Sequence, residues 1–79
     1  MSNLPVLSSV RLIKILRKIG FEQVRQKGSH AFFAHRDGRT TVVPVHKGRD
    51  IGKGLLREIL KEIEISADEF VKFTRKRVK

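Results

Sequence analysis

Two short apolar runs meet across Asp37-Gly38, and that junction limits the fold more than any other feature of the chain. The first run is His30-Ala31-Phe32-Phe33-Ala34-His35 and the second is Thr40-Thr41-Val42-Val43-Pro44-Val45. Aromatic and β-branched residues in runs of this length, joined through Asp-Gly, predict a β-hairpin. A two-residue turn needs positive φ, and Asp-Gly reaches it at low cost. In the first run His30, Phe32 and Ala34 share one face, while Ala31, Phe33 and His35 share the other. One of the two phenylalanines is therefore expected in the core, with the other free to meet a ligand or a partner. Pro44 offers no ladder hydrogen bond, which predicts an edge strand or a strand end.

The flanking segments supply the rest of the fold. Phe21 to Lys27 reads as an earlier strand with weak alternation, and Gly28 allows a tight turn into the hairpin. Leu12, Ile15, Leu16 and Ile19 recur at helical spacing, after a cap at Ser8 or Ser9 and before a left-handed C-cap at Gly20. Arg17 and Lys18 in the last turn suit the helix dipole. Leu56, Ile59, Leu60 and Ile63 repeat the pattern and predict a second helix over 53–63. Ser66-Ala67-Asp68-Glu69 matches a capping box, with Phe70 and Phe73 turned inward on a short third helix. Met1 to Leu7 reads as a loose lead-in, because Pro5 opposes helix. Thr74 to Lys79 reads as a frayed basic tail. The order is α-β-β-β-α plus a short C-terminal helix. This is an α+β fold whose three-stranded antiparallel sheet shows one face to the helices and leaves the other open. A single domain over 1–79 is expected, with its core at about 9–73.

Composition narrows the function classes. With 79 residues the core is small, so partner chains can add stability. The chain has no cysteine, which excludes disulfides and thiolate metal sites. The three histidines and the scattered carboxylates form no metal-ligand pattern. No apolar run reaches membrane-spanning length and the N-terminus lacks a signal-peptide layout, so a cytosolic location without a membrane is the default expectation. A formal net charge of +10 favours a polyanionic partner, either nucleic acid or an acidic protein. His46 to Gly54 concentrates glycines and cations, which suits a phosphate cradle or a plain strand-to-helix connection. It lacks P-loop spacing.

Several short stretches then combine. Lys18-Ile19-Gly20-Phe21 precedes the first strand, Gly28-Ser29-His30 opens the second, and Val43-Pro44-Val45-His46 closes the third. Gly54-Leu55-Leu56-Arg57-Glu58-Ile59-Leu60 and Ile65-Ser66-Ala67-Asp68-Glu69-Phe70 follow. In this order, over roughly residues 9 to 73, the chain resembles the HicA toxin family. The resemblance implies a double-stranded-RNA-binding-domain-like fold and a ribonuclease toxin that cleaves mRNA and blocks translation. It also implies a HicB-type antitoxin as partner, with assembly into a higher-order complex open. The family's catalytic histidine follows Gly-Ser, which is His30 here.

RNA carries its own nucleophile, the 2′-hydroxyl. A ribonuclease working without a metal or other cofactor needs a base for that proton, an acid for the leaving 5′ oxygen, and cations for the phosphorane charge. An unperturbed imidazole, with a pKa of about 6.5, suits either proton role. His30 is the expected general base or acid. Ser29 orients the ring or the substrate, and Gly28 lets the backbone approach the phosphate. His46 is the second candidate, as acid, as phosphate contact, or as a turn residue bonded to backbone. His35 ranks last, since it faces away from His30. Lys27, Arg25, Arg39, Lys47 and Arg49 are candidate phosphate cations, of which about two or three are expected to touch RNA. Phe32, on the face of His30, is the better placed phenylalanine to stack a base. Two competing readings are a non-catalytic double-stranded-RNA-binding module and an adaptor for an acidic protein, which would not require the histidine.

Overall fold

The computed structural model describes residues 4–46 and 48–74. Lys47 and the tail from residue 75 onward lie outside the described residues. The elements are β1 (Leu7–Ser8), α1 (Ser9–Ile19), β2 (Phe21–Lys27), β3 (His30–His35), β4 (Thr40–Pro44), β5 (Asp50–Ile51), α2 (Lys53–Ile63) and α3 (Ala67–Thr74). The expected α-β-β-β-α layout with a C-terminal helix is present, and β2-β3-β4 form the three-stranded antiparallel sheet.

Local chemistry sets the ends of α1. The Ser8 hydroxyl accepts from the Arg11 backbone N–H at 3.1 Å, which satisfies one of the free donors of the first turn. At the other end Gly20 takes φ +116°, and its N–H donates to the carbonyls of Leu16 and Arg17. Helix α2 closes on Glu64 at φ 58°, a left-handed position without glycine. Donation from Ile65 N–H to the Leu60 carbonyl completes the wrap there. The Ser66 hydroxyl accepts from Glu69 N–H at 3.1 Å, making one half of the capping box. The reciprocal bond from the Glu69 carboxylate is not formed among the described residues.

The helices cover one face of the sheet. Leu12, Ile15 and Leu16 from α1, Leu56, Ile59, Leu60 and Ile63 from α2, and Phe70 from α3 meet Phe21, Ala31, Phe33 and Val43 in one buried cluster. Thr41 is buried on that side, and its hydroxyl is 2.7 Å from Glu62 Oε1, fastening β4 to α2. Phe33 is the core phenylalanine and Phe32 lies half-buried on the other face. Pro44 ends an edge strand, as its missing donor requires.

Three sequence expectations are corrected. The lead-in is not loose where it is described: β1 pairs antiparallel with β5, Leu7 opposite Ile51, and Leu4, Leu7 and Ile51 are buried. Part of the 46–54 segment is accordingly strand rather than loop. The turn at Asp37 is longer than two residues, because His35 N–H donates to Arg39 O and Gly38 N–H donates to His35 O. That pattern encloses Arg36, Asp37 and Gly38, with positive φ at Gly38 (+103°) and not at Asp37. It is a three-residue loop of the turn-plus-left-handed-residue kind.

Candidate functional site

The open sheet face is assembled by an irregularity in β2. Phe21, Glu22 and Gln23 pair with His35, Ala34 and Phe33, and then the register shifts so that Arg25, Gln26 and Lys27 pair with Phe32, Ala31 and His30. Val24 is the extra residue, and it is largely exposed. Side chains alternate between faces with period two, so one inserted residue moves everything beyond it to the opposite face. Without the bulge, Arg25 would oppose Ala31 on the core side. With it, Arg25 and Lys27 join Phe32 and His30 on the open side.

Three rows cross that face. Lys27, His30 and Pro44 form the first, Arg25, Phe32 and Val42 the second, and Glu22, Ala34 and Thr40 the third. His30 is exposed and stands directly opposite Lys27. Directly opposed residues have Cβ atoms about 5 Å apart, so the two side chains leave the sheet side by side. In the second row the Arg25 guanidinium carbon lies 4.8 Å from the centroid of the Phe32 ring.

The turn that carries His30 is braced from the other side. Gly28 takes φ +59°, supplying the positive φ of the first turn position, and a Cβ there would meet nothing within 4 Å. Conformation, not crowding, therefore calls for glycine here. The Gln26 side chain donates to the Gly28 carbonyl at 3.0 Å, and Gln23 donates to Gln26 Oε1 at 3.2 Å. Val45 N–H donates to the Ser29 carbonyl at 2.6 Å, which ties the turn to the chain leaving β4. His46 comes next and is exposed at the same end of the sheet. Arg49 N–H donates to its carbonyl, so a turn follows at once.

The remaining candidates lie elsewhere. Arg39 is at the far end of the β3-β4 hairpin, roughly 17 Å from His30 at the rise of an extended strand. It is occupied there: its guanidinium is 2.8 Å from Asp37 Oδ2, donates to the Ile63 carbonyl at the end of α2, and lies over the Phe21 ring. His35 is on the core-side face, packed edge-on against Phe21 with ring centroids 5.1 Å apart. Its Nδ1 is 3.1 Å from both Asp37 N and Asp37 Oδ1. The amide contact suits an Nδ1 that accepts, and the carboxylate contact suits an Nδ1 that carries the ring proton. Donation from Arg39 N–H, followed by the Arg39 side chain and charge and then by His35, holds the Asp37 carboxyl below its ordinary value against a smaller opposing effect of burial.

The structure thus brings Arg25, Lys27, Gly28, Ser29, His30 and His46 to one end of the sheet and leaves Arg39 and His35 out. The family model for the HicA toxin of bacterial toxin-antitoxin systems matches residues 10–65, well over half of the chain. This chain belongs to the HicA toxin family. The role that follows is that of a toxin in a toxin-antitoxin pair, with an antitoxin as its partner. A comparison with curated proteins found no match. Within this HicA chain, the sequence reading missed the apolar floor that Val42 and Pro44 give the open face. Strand parity in Thr40 to Pro44 carried that signal. Nothing in the sequence marked Val24 as the bulge.

Proposed function

We propose that this HicA toxin is a metal-independent endoribonuclease that cleaves mRNA, with His30 as the general acid or base, and that a HicB-type antitoxin neutralises it. The observation that carries this reading is an exposed imidazole beside Lys27 on an open sheet face, just after a glycine turn.

The reaction is an internal displacement. The 2′-oxygen loses its proton to a base and bonds to phosphorus. The P–O5′ bond breaks, the 5′ oxygen takes up a proton, and a 2′,3′-cyclic phosphate remains. His30 serves one of the two proton steps and His46, at the same end of the sheet, is the candidate for the other. Lys27 stabilises the charge that grows on the phosphorane oxygens. Gly28 and Ser29 set the approach of the backbone. Arg39 is assigned to the scaffold, since its Nε and Nη1 already donate to Asp37 and Ile63 at the far end of the hairpin.

A substrate modified at the nucleophile tests this chemistry. Antitoxin-free protein in chelator-containing buffer is expected to cut a single RNA strand and leave cyclic phosphate ends. The same strand with 2′-O-methyl groups should stay intact. Cleavage of the methylated strand would refute the internal displacement. No cleavage of any RNA would leave a non-catalytic RNA-binding module as the function.

A further inference from the structure

We infer that the Arg25–Phe32 pair is a stacking platform for an unpaired nucleobase, so that this toxin engages its RNA as a single strand laid across the open sheet face. The ribonuclease reading enters only in fixing the class of ligand.

The second row of the face has the right composition for this. Phe32 is half-buried, with its ring on the open side, Arg25 lies over the ring at 4.8 Å, and half-buried Val42 closes the row. Both an aromatic ring and a guanidinium plane stack bases, whatever their sequence. Phe32 is two residues along the same strand face from His30, roughly 7 Å away. A nucleotide whose phosphate meets Lys27 and His30 can therefore reach Phe32 with its base.

The same row fits a duplex poorly. Bases of an A-form helix are stacked inside it, and proteins read such a helix through its 2′-hydroxyls and phosphates. Phe32, Val42 and Pro44 offer no side-chain donor for such contacts. Their neighbours Arg25 and Lys27 are cations, which match a phosphate strand running past an apolar strip. Glu22 limits the strip at its other end.

The absence of tryptophan and tyrosine from the chain gives a clean probe. A Phe32→Trp variant carries a single indole fluorophore, placed in the platform. It is titrated with a 2′-O-methyl RNA strand that has no self-complementarity, and with the same strand annealed to its complement. The single strand is expected to quench the indole saturably and the duplex to quench it weakly. By fluorescence anisotropy, Phe32→Leu is expected to weaken single-strand binding about tenfold and to leave duplex binding unchanged. Three results would overturn the proposal. One is single-strand binding by Phe32→Trp without quenching. Another is an affinity loss below twofold in a folded Phe32→Leu variant. The third is a Phe32→Leu variant that binds RNA normally but no longer binds its antitoxin, which would make the row a protein interface. Should Phe32→Leu fail to fold, the quenching titration decides alone. The strand cannot be cleaved, so a protein without nuclease activity that is still quenched keeps the platform. Cleavage without quenching removes the platform and leaves the nuclease.

Discussion

At Gly20 two constraints fall on one residue: φ is +116°, and an added Cβ would lie 2.7 Å from His35 Nε2. Gly20→Ala should therefore cost about 2 kcal/mol or more, through both backbone strain and displacement of the ring. Urea unfolding measures this, and a loss under about 0.5 kcal/mol would show that the contact is not maintained. Asp37 makes a pH prediction. Its carboxyl is held below the ordinary value, chiefly by the Arg39 backbone N–H, so it binds its proton less readily folded than unfolded. That contribution to stability is present above the unfolded value of about 3.9 and is lost as pH falls through the lower folded value. Asp37→Asn should flatten the decline in stability below about pH 4, and parallel unfolding curves for the two proteins would contradict this. The glycines and serines at these turns were legible because each has one chemical use there. The partners of Arg39 were not, since the sequence does not say that its hairpin end meets the end of α2.

Elements with a clear period were readable, and those without one were hidden. Both long helices follow the i, i+3, i+4, i+7 rule, and their predicted faces are the buried ones, Ile19 being only partly buried. The two-residue strands β1 and β5 are too short to show any period, so the burial of Leu7 and Ile51 came only with the fold. Leu7→Ala should lower stability by about 2–4 kcal/mol, as for other buried leucines, where a loose lead-in would give almost none. Thermal unfolding separates these outcomes. The weak alternation of β2 also has a cause. Only Phe21 is buried, the other six residues are exposed, and the bulge at Val24 breaks the parity midway. That hidden residue matters most for the site, because it lets Phe21 reach the core while Arg25 and Lys27 share the open face with His30.

For the molecule as a whole, the sheet has two different faces. One is sealed by three helices, and the other presents an imidazole, two cations and an apolar strip. The net charge of +10 draws phosphate backbones to such a surface in a salt-dependent way, but charge alone does not cut them. On the proposed reading, the exposed His30 is what separates a toxin that cleaves from a domain that only binds. Loss of one group that moves a proton is expected to cost about 100-fold or more in rate. The decisive measurement is RNA cleavage by purified, antitoxin-free His30→Ala protein, with circular dichroism and RNA affinity followed alongside. The account predicts an unchanged fold, retained binding and cleavage reduced at least about 100-fold. Cleavage at the wild-type rate by that variant would contradict it.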